Sequence, residues 1–379
     1  MIRRLITPLL CAAAAVFTLS APAQAADDDT LPRSMIWTAY NVGSAGYANA
    51  SAIADAFGKK YGTRIRIQPS STAIGRLQPL VSERADLGFL STGTFFATEG
   101  IVDFAQKRWG PQNLRVIAGK VAAFGMPTAA DAGIDTIADV KGKRLAYVAG
   151  NPSVNVKCDA VMAFAGLDRD DVNIIMFPTY TAAMSALKED KADATCTLTT
   201  PSLMYELAES PRGIHWPQMP ASDTKAWARL QKMAPYASPY TETVGAGVSE
   251  EHPVELMGYR YPQIVVRADE SDDYVYNIIK GLDESFDIYK NVTAAMPRWA
   301  LSESGHAPMG APFHPGAIRY LKEKGIWNDD DQAWNDKRIK RLDALRAGWK
   351  ETMDAHGDDS DADFKKAWTA KRQAVIEAL

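Results

Sequence analysis

Two stretches of the chain follow one plan of apolar and polar positions. Residues 35–40 (Met-Ile-Trp-Thr-Ala-Tyr) and 144–148 (Arg-Leu-Ala-Tyr-Val) read as short buried strands, each ending at a loop of small residues. Helical spacing follows over 48–59 and 155–166, with Ala52, Ile53, Ala56 and Phe57 on one face of the first. Ile65-Arg66-Ile67 and Val172 to Phe177 read as the next strands. A turn with Thr72 or Thr179 and a second helix come next, and Ala85-Asp86 or Ala192-Asp193 leads into a third strand. Laid over each other at an offset of 107, residues 39–92 and 146–199 share 11 of 54 positions. About three or four are expected by chance in an Ala-rich chain. Strand–helix–strand–helix–strand implies a parallel sheet covered by helices. Two such units predict an α/β protein of two lobes with a cleft between them.

In parallel sheets ligands sit beyond the carboxyl ends of the strands, where helix N-termini also point. That rule places loops 41–46, 70–76 and 91–94 at the cleft edge of lobe I, and 150–155, 179–181 and 199–202 at that of lobe II. All are rich in Ser, Thr, Asn and Gly, which offer hydroxyls, amides and approachable backbone N–H groups. Helix N-termini add partial positive charge that suits carboxylates or phosphates. Taken singly, each Ser, Thr or Asn reads as a helix N-cap before it reads as a ligand group, and the pattern across six loops is the stronger signal. Arg76 is the sharpest candidate, because a cation in the first turn of a helix opposes the dipole. A bidentate carboxylate clamp and a solvated surface arginine are its two readings. Among the aromatics Tyr205, Trp216, Tyr259 and Tyr261, the last leads into a strand through Pro262. His306 and His314 have no carboxylate or thiol at ligand spacing, so no metal and no cofactor is expected.

The N-terminus sets the compartment. Arg3 and Arg4 precede an apolar run from Leu5 to Leu19, and Ala23-Gln24-Ala25 supplies a small-x-small cleavage pattern. A signal peptide at 1–25 and a periplasmic location follow as expectations. Setting aside the two leader arginines leaves 40 basic against 46 acidic residues, a net charge of −6, which argues against nucleic-acid binding. Cys158 and Cys196 remain beyond the leader, and buried free thiols are the expectation in a chain this large. After Trp327 the chain turns Asp-rich. Trp334, Ile339, Leu342, Leu345, Trp349 and Met353 recur as one helical face, and a break at 357–363 precedes a second helical pattern. A helical hairpin packed on a lobe is expected at 328–379, with a docking surface as its alternative.

From about residue 35 to 327 the chain resembles the solute-binding subunits of the TAXI branch of tripartite ATP-independent periplasmic (TRAP) transporters. The resemblance is carried by Gly43-Ser44-Ala45-Gly46-Tyr47, by Glu83 to Phe89, and by Ile137-Ala138-Asp139-Val140-Lys141-Gly142-Lys143. It continues in Asp273 to Ile278 and in His314-Pro315-Gly316-Ala317-Ile318-Arg319-Tyr320. It implies a type II, Venus-flytrap binding protein that captures an organic anion and delivers it to membrane permease subunits driven by an ion gradient. Lobe I would comprise 34–125 and 245–327, and lobe II 126–244. The family's ligand loops fall on Gly43, Ser44 and Tyr47, on Ser71, Thr72 and Arg76, on Ser153 and Asn155, and on Thr199 and Thr200. Thr179 joins them as the repeat partner of Thr72, and Tyr261 as the aromatic candidate. Where the family writes a Thr-Gly-Gly-Ser-x-Glu-Asn turn, this chain has Ser71-Thr72-Ala73-Ile74-Gly75-Arg76, so its ligand is expected to differ from the family's commonest.

Three rival functions stay open at this stage. An enzyme is one, but no nucleophile elbow, His-Glu-x-x-His or phosphate-binding Gly-Lys-Ser/Thr loop is present. A periplasmic sensor for a two-component kinase and the binding component of an ATP-driven importer are the others. We expect a monomer whose partners are a small organic anion and permease subunits.

Overall fold

The computed structural model describes residues 31–379; the signal-peptide expectation at 1–25 lies outside them. Lobe I opens with β1 (Ser34–Ala39), α1 (Ala45–Tyr61), β2 (Arg64–Pro69), α2 (Ala73–Val81), β3 (Leu87–Leu90) and α3 (Thr92–Glu99). The long strand β4 (Leu114–Gly125) leads out of it. Lobe II holds β5 (Thr128–Ala129), β6 (Arg144–Val148), α4 (Pro152–Phe164), β7 (Asn173–Phe177), α5 (Tyr180–Lys188) and β8 (Thr197–Leu198). It continues through α6 (Ser202–Ala208), β9 (Ile214–His215), α7 (Thr224–Met233) and β10 (Ser238–Glu242). Strand β11 (Val254–Arg267) returns to lobe I for α8 (Asp272–Glu284), α9 (Phe286–Tyr289), α10 (Leu301–Ser304) and α11 (Pro315–Glu323). The chain ends in α12 (Asp329–His356) and α13 (Asp361–Glu377). This is a two-lobed α/β architecture with a helical C-terminal extension.

The repeat is physical. β1 lies parallel to β2, with Trp37 beside Ile67, and β6 lies parallel to β7, with Ala146 beside Ile175. In both copies a threonine caps the second helix: Thr72 Oγ1 accepts the Gly75 N–H at 3.0 Å and Thr179 Oγ1 that of Ala182 at 3.1 Å. Asp86 and Asp193 also share a task, since each carboxylate accepts an N–H from the first strand of its copy, that of Ile36 or Arg144. Local rules thus operate twice, satisfying the donors that helix starts and strand starts leave free.

Among the described residues only β4 and β11 run through both lobes. They pair antiparallel from Leu114–Arg267 at the lobe I end to Phe124–Met257 at the lobe II end, and the register shifts between Arg260 and Gln263. Ile264, Val265 and Val266 pack into the lobe I core with Trp37 and Phe89. Ala246, Val248 and Leu256 pack with Ala146, Val148 and Met184 of lobe II. The return to lobe I therefore takes place inside β11, at residues 260–263, rather than at 245. Residue 245 opens a loop held to lobe II by Ala246 N–H donating to Thr199 O. Two strands with a register break between two separate cores form a hinge.

Cys158 of α4 and Cys196, just before β8, form a disulfide across 38 residues, with Cα atoms 5.5 Å apart. This corrects the expectation of free thiols. The repeat brings the start of α4 over the third strand of its own lobe, and the two thiols meet in the lobe II core. Closing a loop of this length restricts the unfolded chain by roughly 4 kcal/mol on the chain-entropy account.

The extension is a hairpin fastened to lobe I by charge as well as by packing. Leu345, Phe364 and Trp368 meet Ala105, and Trp368 Nε1 donates to Gly100 O at 2.6 Å. Beside them Glu99, fully buried at the end of α3, takes Arg338, Arg341 and Arg372 from the hairpin. Burial alone pushes the Glu99 carboxyl up. The hydrogen bond from Arg341 and the charges of all three arginines outweigh it and hold the pKa down at about 2. A depressed carboxylate pKa adds stability above its unfolded value, 4.5, that is lost as pH falls towards 2, here about 3 kcal/mol. We expect Glu99→Ala to destabilise the protein by about 3–5 kcal/mol in denaturant titration, because buried Arg338 and the half-buried Arg341 and Arg372 lose their partner. Its loss should shrink as pH falls from 5 to 2.

Candidate functional site

The cleft divides into an inner and an outer part. Outside, a cavity of about 420 Å³ lies between the N-terminus of α1 and that of α6, lined by Gly43, Ser44, Tyr47, Thr200 and Tyr205. Further in, Tyr40, Ser71, Arg76, Ser153, Lys157 and Tyr261 converge with Phe124, Tyr180 and Tyr259. The hydrogen bond from Gly46 N–H to Tyr261 Oη, 3.0 Å, runs between the two parts. Gly46 needs to be glycine there, because a Cβ would stand 2.3 Å from the Tyr40 ring.

The electrostatics of the inner part are unusual. Arg76, 4% exposed, projects from the first turn of α2 and lays its guanidinium 3.9 Å from the centre of the Tyr40 ring. One Nη1 donates to Ser70 O at 2.8 Å, while Nε is buried without a partner. Lys157, 3% exposed, comes from α4 of the other lobe. Its ammonium lies 4.8 Å from the ring centres of both Phe124 and Tyr259 and makes one long hydrogen bond, 3.4 Å, to Thr92 Oγ1. Burial, then the charge of Arg76, lowers the Lys157 pKa to about 7. Burial also lowers that of Arg76, opposed by Tyr40 and Tyr261, and the guanidinium keeps its charge at neutral pH. Among the described residues no carboxylate offsets either cation. Buried charge is ordinarily paired, so two cations facing one cavity from opposite lobes leave an unmet demand for negative charge.

Contacts between the lobes surround this pair. Thr92 Oγ1 of lobe I lies 2.6 Å from Ser153 Oγ of lobe II, and Asn151 Nδ2 donates to Ser71 O at 3.3 Å. Tyr40 and Tyr261 stack at 5.0 Å, and burial raises the pKa of Tyr259 and Tyr261 well above the usual value. These hydroxyls are therefore neutral donors on an aromatic wall.

The twelve residues singled out from the sequence separate by role. Gly43, Ser44, Tyr47 and Thr200 line the outer cavity, and Ser71, Arg76, Ser153 and Tyr261 the inner one. Ser44 doubles as the N-cap of α1, accepting the Tyr47 N–H. Thr72 and Thr179 are spent on caps. Asn155 brackets Val148, accepting its N–H at 3.0 Å and donating to its carbonyl at 2.9 Å. Thr199 donates to Val244 O at 2.7 Å. These four hold loops in place. Lys157 and Tyr40 stand outside the sequence reading, and Thr92 and Tyr180 enter it only as members of the loops at 91–94 and 179–181. The signal for Lys157 was its place four residues after Ser153 and three before Ala160, on the buried face of α4. His314 caps α11, accepting the Gly316 N–H, and His306 pairs with Asp331 at 2.7 Å. Among the described residues no group of His, Cys, Asp and Glu is arranged to hold a metal ion, and no helix is long and apolar enough to cross a membrane.

Comparison with known proteins places these observations in a wider set. A family model described as the NMT1-like family matches residues 38–325. The chain is similar to the periplasmic aliphatic sulphonate binding protein SsuA from Escherichia coli, at 16% identity and a TM-score of 0.45, over 83% of this chain and 88% of that one. It is similar to the alkanesulfonate-binding protein SsuA from Xanthomonas axonopodis pv. citri bound to MOPS, at 14% identity and a TM-score of 0.44, over 79% and 96%. A protein of Bordetella bronchiseptica RB50 is similar at 17% identity and 0.45, over 79% and 91%.

A buried lysine whose pKa falls from 10.5 to about 7 penalises the folded state at neutral pH. The unfolded chain holds the extra proton between these values, so stability rises with pH across that window, by roughly 3–5 kcal/mol for the full shift. Without ligand, Lys157→Met should be more stable than the parent at pH 7 by at least about 1 kcal/mol, and its stability should rise less between pH 7 and 10. Denaturant titrations at several pH values check both.

Proposed function

Since this chain belongs to the NMT1-like family, we propose that it is an extracytoplasmic solute receptor that closes its two lobes on a small organic anion. The single observation that carries the reading is the Arg76–Lys157 pair, one cation from each lobe, buried without a carboxylate. An anion bound by Arg76 on lobe I attracts Lys157 on lobe II, so ligand charge replaces mutual repulsion as the lobes close. That is differential affinity for the closed state, which a ligand-driven hinge requires. The guanidinium offers a planar fork for a carboxylate, sulfonate or related oxyanion. Tyr40, Tyr259 and Tyr261 add an aromatic wall, which favours a ligand with an apolar body over a bare inorganic ion.

In this reading the bound solute is handed to membrane subunits, and the sequence resemblance to TAXI receptors points to a TRAP permease driven by an ion gradient. A periplasmic address fits the leader and the disulfide between Cys158 and Cys196. The polar groups of the cleft bind and orient, and binding without turnover is the activity proposed.

Lys157 makes capture proton-linked. Near neutral pH the empty site holds this amine partly deprotonated, and an anion restores its charge. Affinity should be highest below pH 7 and fall as pH rises from 7 to 9. A thermal-shift screen of carboxylates, keto acids, amino acids and sulfonates at pH 6.5, followed by calorimetry, tests the proposal. A ligand at a hundredfold over its dissociation constant adds about 2.7 kcal/mol of stability. Arg76→Ala and Lys157→Met should each weaken the selected anion by about tenfold or more. Unchanged affinity in both variants, or tighter binding of cations than of anions, would contradict it. Turnover of the bound compound would replace the receptor reading with an enzyme.

A further inference from the structure

A third cavity, about 210 Å³, lies where lobe I, lobe II and the C-terminal hairpin meet, and none of the twelve residues read from the sequence lines it. Its walls include Phe95 of α3, Tyr236 from the loop after α7, Tyr259 and Met309, with Trp334 and Arg338 of α12 closing one side. The volume exceeds the roughly 150 Å³ that accommodates a benzene ring in a protein interior. Phe95 and Tyr236 pack at 5.3 Å across the lobes, and the Arg338 guanidinium lies 5.1 Å from the Phe95 ring centre.

Two polar groups around this cavity are buried without partners, Tyr236 Oη and Arg338 Nε. Burial raises the Tyr236 pKa, so the hydroxyl stays protonated. Both are donors that lack an acceptor. Arg260, the other cation of the lining, is already spent on the carbonyls of Gly119, Glu303 and His306. The cavity therefore combines aromatic surface with an unmet demand for an acceptor oxygen.

Only one layer of side chains separates it from the Arg76–Lys157 site. Tyr259 lines both cavities. Thr92 lines the rear one and bonds to Ser153 and Lys157, which line the inner one. Thr92 belongs to lobe I, and its two partners to lobe II. This partition is thus made by lobe closure and parts when the hinge opens.

We propose that the two cavities are one binding site for an elongated organic anion. Its anionic end sits between Arg76 and Lys157, and its apolar or aromatic body runs past Tyr259 into the rear cavity, ending in an acceptor oxygen near Tyr236 and Arg338. This rests on the anion-receptor reading and extends it. The C-terminal hairpin then has a part in recognition, because Trp334 is a wall of the ligand site, and the Glu99 lock holds that wall in position.

Calorimetry at pH 6.5 on the whole chain with propionate, 3-phenylpropionate and 3-(4-methoxyphenyl)propionate tests it. Affinity should rise by about tenfold or more from the first to the last. Trp334→Ala should remove most of that gain, and Tyr236→Phe, which keeps the ring packing, should weaken only the methoxy compound. Arg76→Ala should weaken all three. If Trp334→Ala and Tyr236→Phe leave the three affinities in their original ratio, the rear cavity is not part of the site and this inference is wrong. The anion-receptor reading survives that result as long as Arg76→Ala still weakens binding. If Arg76→Ala changes nothing, the inner site itself has been misread and the inference falls with it.

Discussion

Two positive charges that the fold removes from water and leaves unpaired are the constraint on which the rest of the structure turns. Arg76 and Lys157 are each less than a twentieth exposed; burial lowers the pKa of both, and the charge of Arg76 lowers that of Lys157 further. Burying a charge without a partner costs several kcal/mol, so this arrangement lowers the stability of the empty, closed protein. A fold keeps such a cost where binding recovers it. The chain meets it elsewhere with paired charge and covalent restraint: the Glu99–arginine lock in lobe I and the Cys158–Cys196 bridge in lobe II.

The repeat explains how one cation comes from each lobe. Positions equivalent at the offset of 107 are Arg76 and Ala183, and Lys157 and Ala50. Both alanines are fully buried, so each lobe carries its cation on a different helix, with packing in the corresponding place of the other. Duplication supplies two scaffolds whose helix N-termini face one cleft, and divergence places one buried cation on each, the pair on which the proposed anion site rests. The two strands β4 and β11 then couple closure to binding, because the hinge lies only a few residues from Phe124, Tyr259 and Tyr261, which form the aromatic wall.

The architecture was legible because it follows from local rules. Strand and helix periods, the paired threonine caps and the Ala-Asp strand leads each depend on a few neighbouring residues, and two copies reinforced each other. Arg76 stood out because a cation in the first turn of a helix runs against the dipole. Lys157 did not, since a lysine in a helix reads as a solvated charge until its face is known to be buried. Loop chemistry points to Thr72, Asn155, Thr179 and Thr199, and in the structure their side chains hydrogen-bond nearby backbone. The lobe boundary was placed at 245 because the pattern shows where a strand resumes, not which core each end of it joins. Glu99 and Arg338 are 239 residues apart, and no pattern along the chain links them. The buried face of α12 includes Asp331, Asn335 and Arg338, polar residues that a search for an apolar stripe passes over.

The claim at the centre of this account is that Lys157 is a buried, unpaired cation awaiting an anion. Titrating the Lys157 side chain by NMR, using the 13Cε shift with Lys157→Met for assignment, measures it directly. The account predicts a pKa near 7 without ligand and a rise of at least one unit when a bound anion saturates the cleft. A value near the usual 10.5 that no anion moves would contradict it.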